Sequence, residues 1–532
     1  VNRSGGRSGP TGSNRPTGRS GPTGPNRPNG RSGPTGPNRP AGRSGPTGPN
    51  RPAGPSGRSE PSGRSEPSGR NEPSGRGEPS GRGELSGRGE LSGRGEPSGR
   101  SEPSGRSEPS GRSEPSGRGE PSTRRGPSEA DAHQLRAASG PHLATVQLTK
   151  PLRDRILAGH PWLYDRALAA LPAAVAPGDL ITIADPEGEV ALAFADPESP
   201  IRARVLAVPG TRLDTAWARG LTEAAAARRT RDPLLAGCTG RRLVHGEADA
   251  CPGLVVDLYD TTAVVVFDGP AAAVFWRPRL ADVLAGLERG GAVIEHAWLR
   301  GERRRTAGVS SAGEVVRGAP PGELVIDEDE ARFAVDVRAG QKTGFFLDQR
   351  DNRRTIRRHA GGRTVLNLFA YTGGFSLHAA MGGATRVTSV DIAPPAIAGI
   401  EHNLALSGLP AACHERTATD AFDFLARAAR QHRRWDLVIA DPPSFAPSER
   451  ARPAALAAYR KLAAAALAVT EPTGRFALAS CSSHVTEADL LELVAGLAPL
   501  RLRTAAGAAS DHPVLPAFPE GRYLKFLMFD LN

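Results

Sequence analysis

A cysteine flanked by serines closes the apolar run GRFALASCSSHVT, Gly474 to Thr486. The residues before it read as a strand, so the Cys481 thiol stands at a strand end. Two readings are open. Cys481 is either a small buried hydrophobe or a nucleophile facing a pocket, because the thiolate is the reactive form that attacks electrophilic carbon. The chain holds only four cysteines, Cys238, Cys251, Cys413 and Cys481. None has CxxC spacing, and no His/Cys cluster has zinc-ligand spacing, so no metal centre is expected. A disulfide framework is not expected in a chain of 532 residues, which points to a reducing, cytoplasmic compartment.

Four more stretches carry chemistry. NLFAYTGGFS contains Phe369, Tyr371, Thr372, Gly373 and Gly374 between an apolar strand and a helical run. Paired glycines let backbone approach a ligand there, and the helix N-terminus favours negative charge. The next strand, RVTSVDI, ends in Asp391, where a carboxylate can take two ribose hydroxyls. Asp420 in TATDAFDF stands where an adenine amine can be read. A glycine loop with two such carboxylates and no phosphate clamp describes a nucleoside site, favouring S-adenosylmethionine over NAD. Turn glycines and helix-capping aspartates are the plain alternative. The fourth stretch is DPPSFAPS. Asp441, Pro442 and Pro443 make a rigid loop after an apolar strand, presenting a carboxylate and carbonyls to a planar base, with Phe445 close behind.

The elements that must position these residues follow the chain. Up to about Ala130 it is tandem repeat, first GRSGPTGPNRPN at a period of about twelve and then EPSGRS-type units at about six. With almost no apolar residues this segment cannot offset the entropy of ordering, so residues 1–140 read as a disordered tail. A collagen helix is excluded, because every fourth triplet of the first block starts with Arg. The tail is a solvated arm or a weak electrostatic tether for RNA. The first residue is Val, which leaves open a start further downstream and repeats that are never translated. No apolar signal-peptide core or membrane-length run is read. The net charge of +11 favours a polyanionic partner, nucleic acid first.

After the tail, short strands between Pro-Gly and Asp-Pro turns predict a small β-barrel. An α+β stretch follows, with two strands joined by a turn at Tyr259-Asp260-Thr261, a basic loop at Arg303 to Arg305 suited to phosphates or to solvent, and the hairpin ELVIDEDEARFAVDV. From Arg363 strands and helices alternate, which predicts a doubly wound parallel sheet. The last strand, YLKFLMFDL, follows no long helix and is expected as an antiparallel edge strand.

Several segments in order (GHPWLYDRAL, DACPGLVVDLYD, GQKTGFFLDQRDNR, VLNLFAYTGGFSLHAA, DLVIADPPSFA, ASCSSHV, DHPV and PEGRYLKFL) resemble the ribosomal large-subunit methyltransferase I family of rRNA (cytosine-C5-)-methyltransferases. The resemblance runs from about Leu143 to the end. It implies an α/β protein with a PUA-like RNA-binding barrel at 141–208, a middle α+β domain at 209–338, and a class I, Rossmann-like, seven-stranded methyltransferase domain at 339–532. It implies S-adenosylmethionine as cofactor, large-subunit ribosomal RNA as partner, no membrane and no metal, and leaves room for a homodimer. It places the nucleophile at Cys481, which would add to C6 of a cytosine flipped out of its stack. Asp441 is then the partner of the base edge, with a raised pKa that lets it protonate N3. The segment GQKTGFFLDQRDNRR closes over cofactor and substrate. Lys342 and Phe345 (or its neighbour Phe346) would meet the base, while Asp348 and Arg350 orient ligand groups. His484 is either a helix cap or a proton carrier.

Two alternatives keep the fold and change the target: methylation of a guanine ring nitrogen, which needs no nucleophile, and 5-methyluridine formation, which also uses a cysteine. A different class is a non-catalytic RNA-binding ribosome-assembly factor.

Overall fold

A computed structural model describes residues 143–301 and 313–532. The repeat tail and the basic run at Arg303 to Arg305 lie outside the described residues.

The first ordered elements are β1 (Ala144–Gln147), α1 (Arg153–Leu157), β2 (Trp162–Tyr164), β3 (Leu180–Asp185), β4 (Gly188–Ala195) and β5 (Ile201–Ala207). The strands form one sheet in the order β1-β3-β4-β5-β2. A bridge between Leu148 and Leu168 joins its two edges, closing the sheet into a barrel. Val146, Leu163, Ile181, Ile183 and Val190 fill the interior. Arg153 donates two hydrogen bonds to Asp185, at 2.8 and 2.5 Å, and ties α1 to the β3 end.

Next come α2 (Thr215–Thr230), β6 (Gly240–His245), β7 (Leu254–Tyr259), β8 (Thr262–Phe267), α3 (Pro270–Trp276), α4 (Leu280–Arg289), β9 (His296–Leu299) and β10 (Glu314–Arg317). The second sheet runs β10-β9-β8-β7-β6. The turn at Asp260 stands where expected, with φ of 55°. The stretch before it, read as one strand, makes two, because the chain turns at Gly246–Asp249 and Ala250 enters the left-handed region at φ of 55°. α2 and α4 pack against one face. A Cβ at Gly286 would sit 2.1 Å from Thr222 Oγ1 and 2.4 Å from the Arg219 carbonyl, so only glycine allows this approach. The hairpin β11 (Leu324–Glu328) and β12 (Ala331–Val335) is a separate two-stranded sheet. Its Phe333 shares a core with Tyr259 and Val264 on one side and Leu377, Ile400 and Leu404 on the other.

The remaining elements are α5 (Arg350–His359), β13 (Thr364–Leu368), α6 (Gly374–Met381), β14 (Arg386–Asp391), α7 (Pro394–Leu406), β15 (His414–Ala418), α8 (Ala421–Arg430), β16 (Trp435–Ala440), α9 (Arg452–Ala468), β17 (Thr470–Ser480), α10 (Glu487–Ala495), β18 (Leu500–Ala506) and β19 (Lys525–Leu531). They build a seven-stranded sheet in the order β15-β14-β13-β16-β17-β19-β18. The first five strands are parallel, and β19 is antiparallel to both neighbours. This is the class I methyltransferase arrangement.

One expectation is corrected. β19 is antiparallel but lies inside the sheet, and β18 is the edge. Phe526, Leu527 and Met528 are all fully buried, as a strand covered on both faces requires. β18 instead exposes Arg501 and Arg503, charges that blunt an edge. The strand order reverses between β13 and β16, so the crevice at their carboxyl ends is where a ligand belongs.

Candidate functional site

The loop after β13 is shaped by its neighbour strand. Tyr371 N–H donates to Asp391 Oδ2 at 2.8 Å, and Ala393 N–H donates to the other oxygen at 2.9 Å. Asp391 is thus positioned by backbone on both sides, with a second acceptor direction left on each oxygen. Phe369 and Tyr371 adopt φ of 58° and 47°, and Lys342 adopts 53°; left-handed backbone at bulky residues is strain that gathers at ligand sites. Gly373, at φ of 88°, starts α6. Thr372 Oγ1 is buried without a hydrogen-bond partner, an atom suited to a ligand donor or acceptor. Asp420 caps α8, accepting from Phe422 and Asp423 N–H at 2.8 and 3.2 Å through one oxygen. Beside Asp391, Ile392 is 70 % exposed, an apolar platform the sequence reading did not single out.

The DPP loop follows β16. Asp441 Oδ2 accepts from Gln349 Nε2 at 2.9 Å, and Gln349 is held by Asn352 at 2.6 Å. Burial, reinforced by the nearby Asp348 carboxylate, raises Asp441 to about 7. Pro442 is buried, Pro443 is exposed, and Phe445 rests against Tyr459 with ring centroids 4.9 Å apart.

Cys481 follows the last residue of β17 and is partly exposed. Burial pushes its thiol up and Asp441 adds to this, while Lys342 opposes. The flanking serines explain themselves. Ser480 and Ser482 are both fully buried. Ser480 Oγ accepts from Tyr459 at 2.8 Å, and Ser482 Oγ meets Ser444 Oγ at 3.0 Å and Ala446 N–H at 3.3 Å. Ser482 fastens the β17 end to the DPP loop and Ser480 fastens it to α9, so the cysteine between them is held beside Asp441's loop. Replacing Ser482 by alanine is expected to destabilise the fold by about 1–2 kcal/mol, read by denaturant unfolding, because Ala446 N–H loses a buried acceptor.

The segment before α5 completes the cluster. Asp348 is buried, and one of its oxygens takes the Lys342 ammonium and the Tyr523 hydroxyl, the latter at 2.7 Å. Burial alone would raise Asp348, but Lys342, His512 and Tyr523 overcome this and hold it well below the usual carboxylate range. Its other oxygen has no partner. Lys342 Nζ lies 4.5 Å over the Phe346 ring.

Two expectations fail here, Phe345 and Arg350, and of the two readings of His484 the helix cap is removed. Phe345 is only 2 % exposed, packed on Phe333 and under the Arg353 guanidinium, so it has no face for a base; Phe346 is the more exposed of the two. Arg350 is fully buried, paired with Asp511 at 2.9 Å and donating to the Gly240 carbonyl at 2.6 Å, and presents no surface to a ligand. His484 pairs with Glu449 at 3.2 Å, and the α10 cap is Thr486 with Asp489. Gln349, Tyr523 and Lys525 were missed as site residues. PEGRYLKFL carried two of them, with no spacing rule to single them out.

A cleft of about 870 Å³ leads away from Lys342, Thr343 and Tyr523 over the second sheet, past Phe267, Arg277 and Arg300.

The matched families agree with this geometry. An S-adenosylmethionine-dependent methyltransferase model matches residues 285–502, and a PUA-like domain model matches 146–207. A ribosomal RNA large subunit methyltransferase of Deinococcus radiodurans is 39 % identical over 414 residues, 74 % of this chain and 99 % of the relative. Ribosomal RNA large subunit methyltransferase I of Cronobacter sakazakii is 33 % identical, covering 71 % of this chain and 97 % of that one. The chain belongs to the ribosomal RNA large subunit methyltransferase I family. Its fold is that of a methyltransferase crystallised with S-adenosylhomocysteine, with a TM-score of 0.64 at 22 % identity, covering 73 % of this chain and all of that one. As a member of this family it uses S-adenosylmethionine, and the residues fit: a strained glycine loop, the Asp391 carboxylate and the unpartnered Thr372 hydroxyl stand at the carboxyl ends of β13 and β14. Among the described residues no group of His, Cys, Asp and Glu could hold a metal ion, and no helix is long and apolar enough to cross a membrane.

Proposed function

We propose that this protein methylates C5 of a cytosine in large-subunit ribosomal RNA through a covalent adduct on Cys481. The observation that carries the reading is the joining of a thiol and a near-neutral carboxyl on adjacent strand ends, β17 and β16, by the serine contacts described above.

Unaided, C5 of cytosine is too weak a nucleophile to accept a methyl group. The Cys481 thiol gives its proton to the Asp441 carboxylate, and the thiolate adds to C6. Asp441 passes that proton to N3 as the ring electrons shift, leaving C5 an enamine carbon. Bound S-adenosylmethionine supplies a methyl group on a sulfonium, which C5 can take. Loss of the C5 proton to a base, return of the N3 proton to Asp441 and breaking of the C6–S bond restore Cys481 as thiolate. Cytosine suits this better than uridine, because its bare N3 accepts from protonated Asp441, whereas N3 of uridine already carries a proton. A guanine nitrogen would leave Cys481 without a task.

Asp391, Thr372 and the backbone of Phe369 to Gly374 hold the nucleoside and amino-acid ends of the cofactor, with Asp420 on the base edge and Ile392 beneath it. Lys342, Pro442, Pro443 and Phe445 border the target base, and the cleft past Arg277 gives the strand a path. Asp391→Ala is expected to weaken S-adenosylmethionine binding about 10- to 100-fold by calorimetry, the equivalent of one or two charge-assisted hydrogen bonds together with the loop contact to Tyr371.

Bisulfite sequencing of large-subunit rRNA from a deletion strain, with and without the restored gene, tests the target. One cytosine should lose protection on deletion and regain it on complementation. An unchanged cytosine pattern would exclude this reading and turn the search to guanine.

A further inference from the structure

Lys525 begins β19 and stands opposite Ser480 in the antiparallel ladder with β17, next to Cys481. It is 5 % exposed, and its ammonium donates to the carbonyls of Ser482 at 2.5 Å and Tyr523 at 2.9 Å. Two of three donors are thereby used on neutral acceptors. The other strongly buried cations behave differently: Arg204, Arg229, Arg242, Arg350 and Arg353 each hold a carboxylate within 2.5–2.9 Å. Among the described residues Lys525 has no such ion pair. A buried charge without a counter-charge is unstable unless another group meets it.

We propose that Lys525 is the counter-charge of the Cys481 thiolate, a positioning residue that raises the thiolate fraction while the base is attacked. The inference rests on the reading of Cys481 as nucleophile. Below about pH 8 Lys525 is an ammonium, and it neither gives nor takes a proton in the step. The thiol proton goes to Asp441 as above, and no bond to Lys525 forms or breaks. Burial lowers Lys525 to about 8, and the field of Cys481 works against that fall, which is the reciprocal of the same coupling. The other charged or titratable groups facing the pair are Asp441, Asp348, Lys342 and Tyr459 around the thiol and Asp489 toward the lysine. The two carboxylates beside the thiol disfavour a thiolate, and Lys342 is already engaged by Asp348. Lys525 is the cation left to offset it.

The test is alkylation of Cys481 by iodoacetamide across pH, followed by mass spectrometry of its peptide. It is run on the full chain carrying Cys413→Ser, since Cys413 is the exposed thiol among the four. Lys525→Met is expected to slow alkylation about tenfold at a pH below the thiol's titration and to move the profile up by about one unit, with S-adenosylmethionine affinity unchanged. Superimposable profiles overturn the proposal. Should Lys525→Met not fold, the reciprocal measurement decides. In Cys481→Ser, the ¹³Cε resonance of Lys525 should titrate about one unit lower than in wild type, and an unchanged titration overturns it. Full methyl transfer by Cys481→Ala would sink the nucleophile reading instead, and the alkylation comparison would still report whether lysine and thiol are coupled.

Discussion

Cys481→Ala is expected to lower methyl transfer by about 10⁴-fold or more while leaving S-adenosylmethionine affinity within about twofold. The size follows from the mechanism: without sulfur there is no addition to C6, and C5 must attack as an unactivated aromatic carbon. The selectivity follows from the structure. Ser482, not the thiol, fastens the β17 end to the DPP loop, Ser480 fastens it to α9, and Asp391 and the glycine loop lie on other strands. RNA carrying 5-fluorocytidine at the target should form a stable adduct with the wild-type chain, because fluorine cannot leave as a proton does, and none with Cys481→Ala. A variant that keeps more than about a tenth of the wild-type rate would remove the covalent route.

Asp441→Asn has the second largest expected effect, a loss of about 10²- to 10⁴-fold, the range of a lost general acid. Its pH dependence is the sharper test. Asp441 titrates at about 7, and burial puts the thiol above its ordinary value. The reactive form is protonated Asp441 with thiolate Cys481. It holds the same number of protons as the prevailing form, carboxylate with thiol. Its share is therefore constant between the two titrations. It falls below pH about 7, where both groups are protonated, and falls again once both have lost their protons. Wild-type kcat/KM should be flat from about 7 to about 8, where Lys525 begins to lose its charge. In Asp441→Asn the thiol titrates alone, so the rate should climb about tenfold per pH unit across that same window. A flat profile in the variant would remove Asp441 from the proton path.

Much of the site was legible because it sits where the chain breaks its pattern. Glycines after β13, an aspartate ending β14 and prolines after β16 interrupt apolar runs, and interruptions at strand ends are where a parallel sheet exposes its crevice. The two strands never named by residue in the sequence reading, β15 and β18, are the sheet's edges. HERTA and LRLRT carry polar residues because an edge meets solvent, and the continuous apolar run that betrays interior strands is absent from them. The pattern of β19 was read, but its place was not. Strand order is set by pairing partners, which YLKFLMFDL does not name. Phe345 and Phe346 are adjacent and chemically alike, and only the packed core decides which faces in. Arg350 looked like a ligand clamp because Asp511, its partner, lies far along the chain. Gln349 and Tyr523 were invisible for the same reason: each acts on a carboxylate brought near by folding.

Asp511 has a consequence for modularity. Its carboxylate takes Arg350 from α5 and the Arg242 backbone N–H from β6, and its carbonyl takes Arg229 from α2, which also grips Asp249. Two sheets with separate cores thus share one anion. Cutting between them would leave the Asp511 carboxylate without the Arg242 N–H and its carbonyl without Arg229, at about 1–3 kcal/mol for each buried group left unmet. The methyltransferase half is therefore not a transplantable cassette. A recombination event that swapped the second sheet for another RNA-binding module would have to bring a guanidinium and a backbone N–H to the same two places.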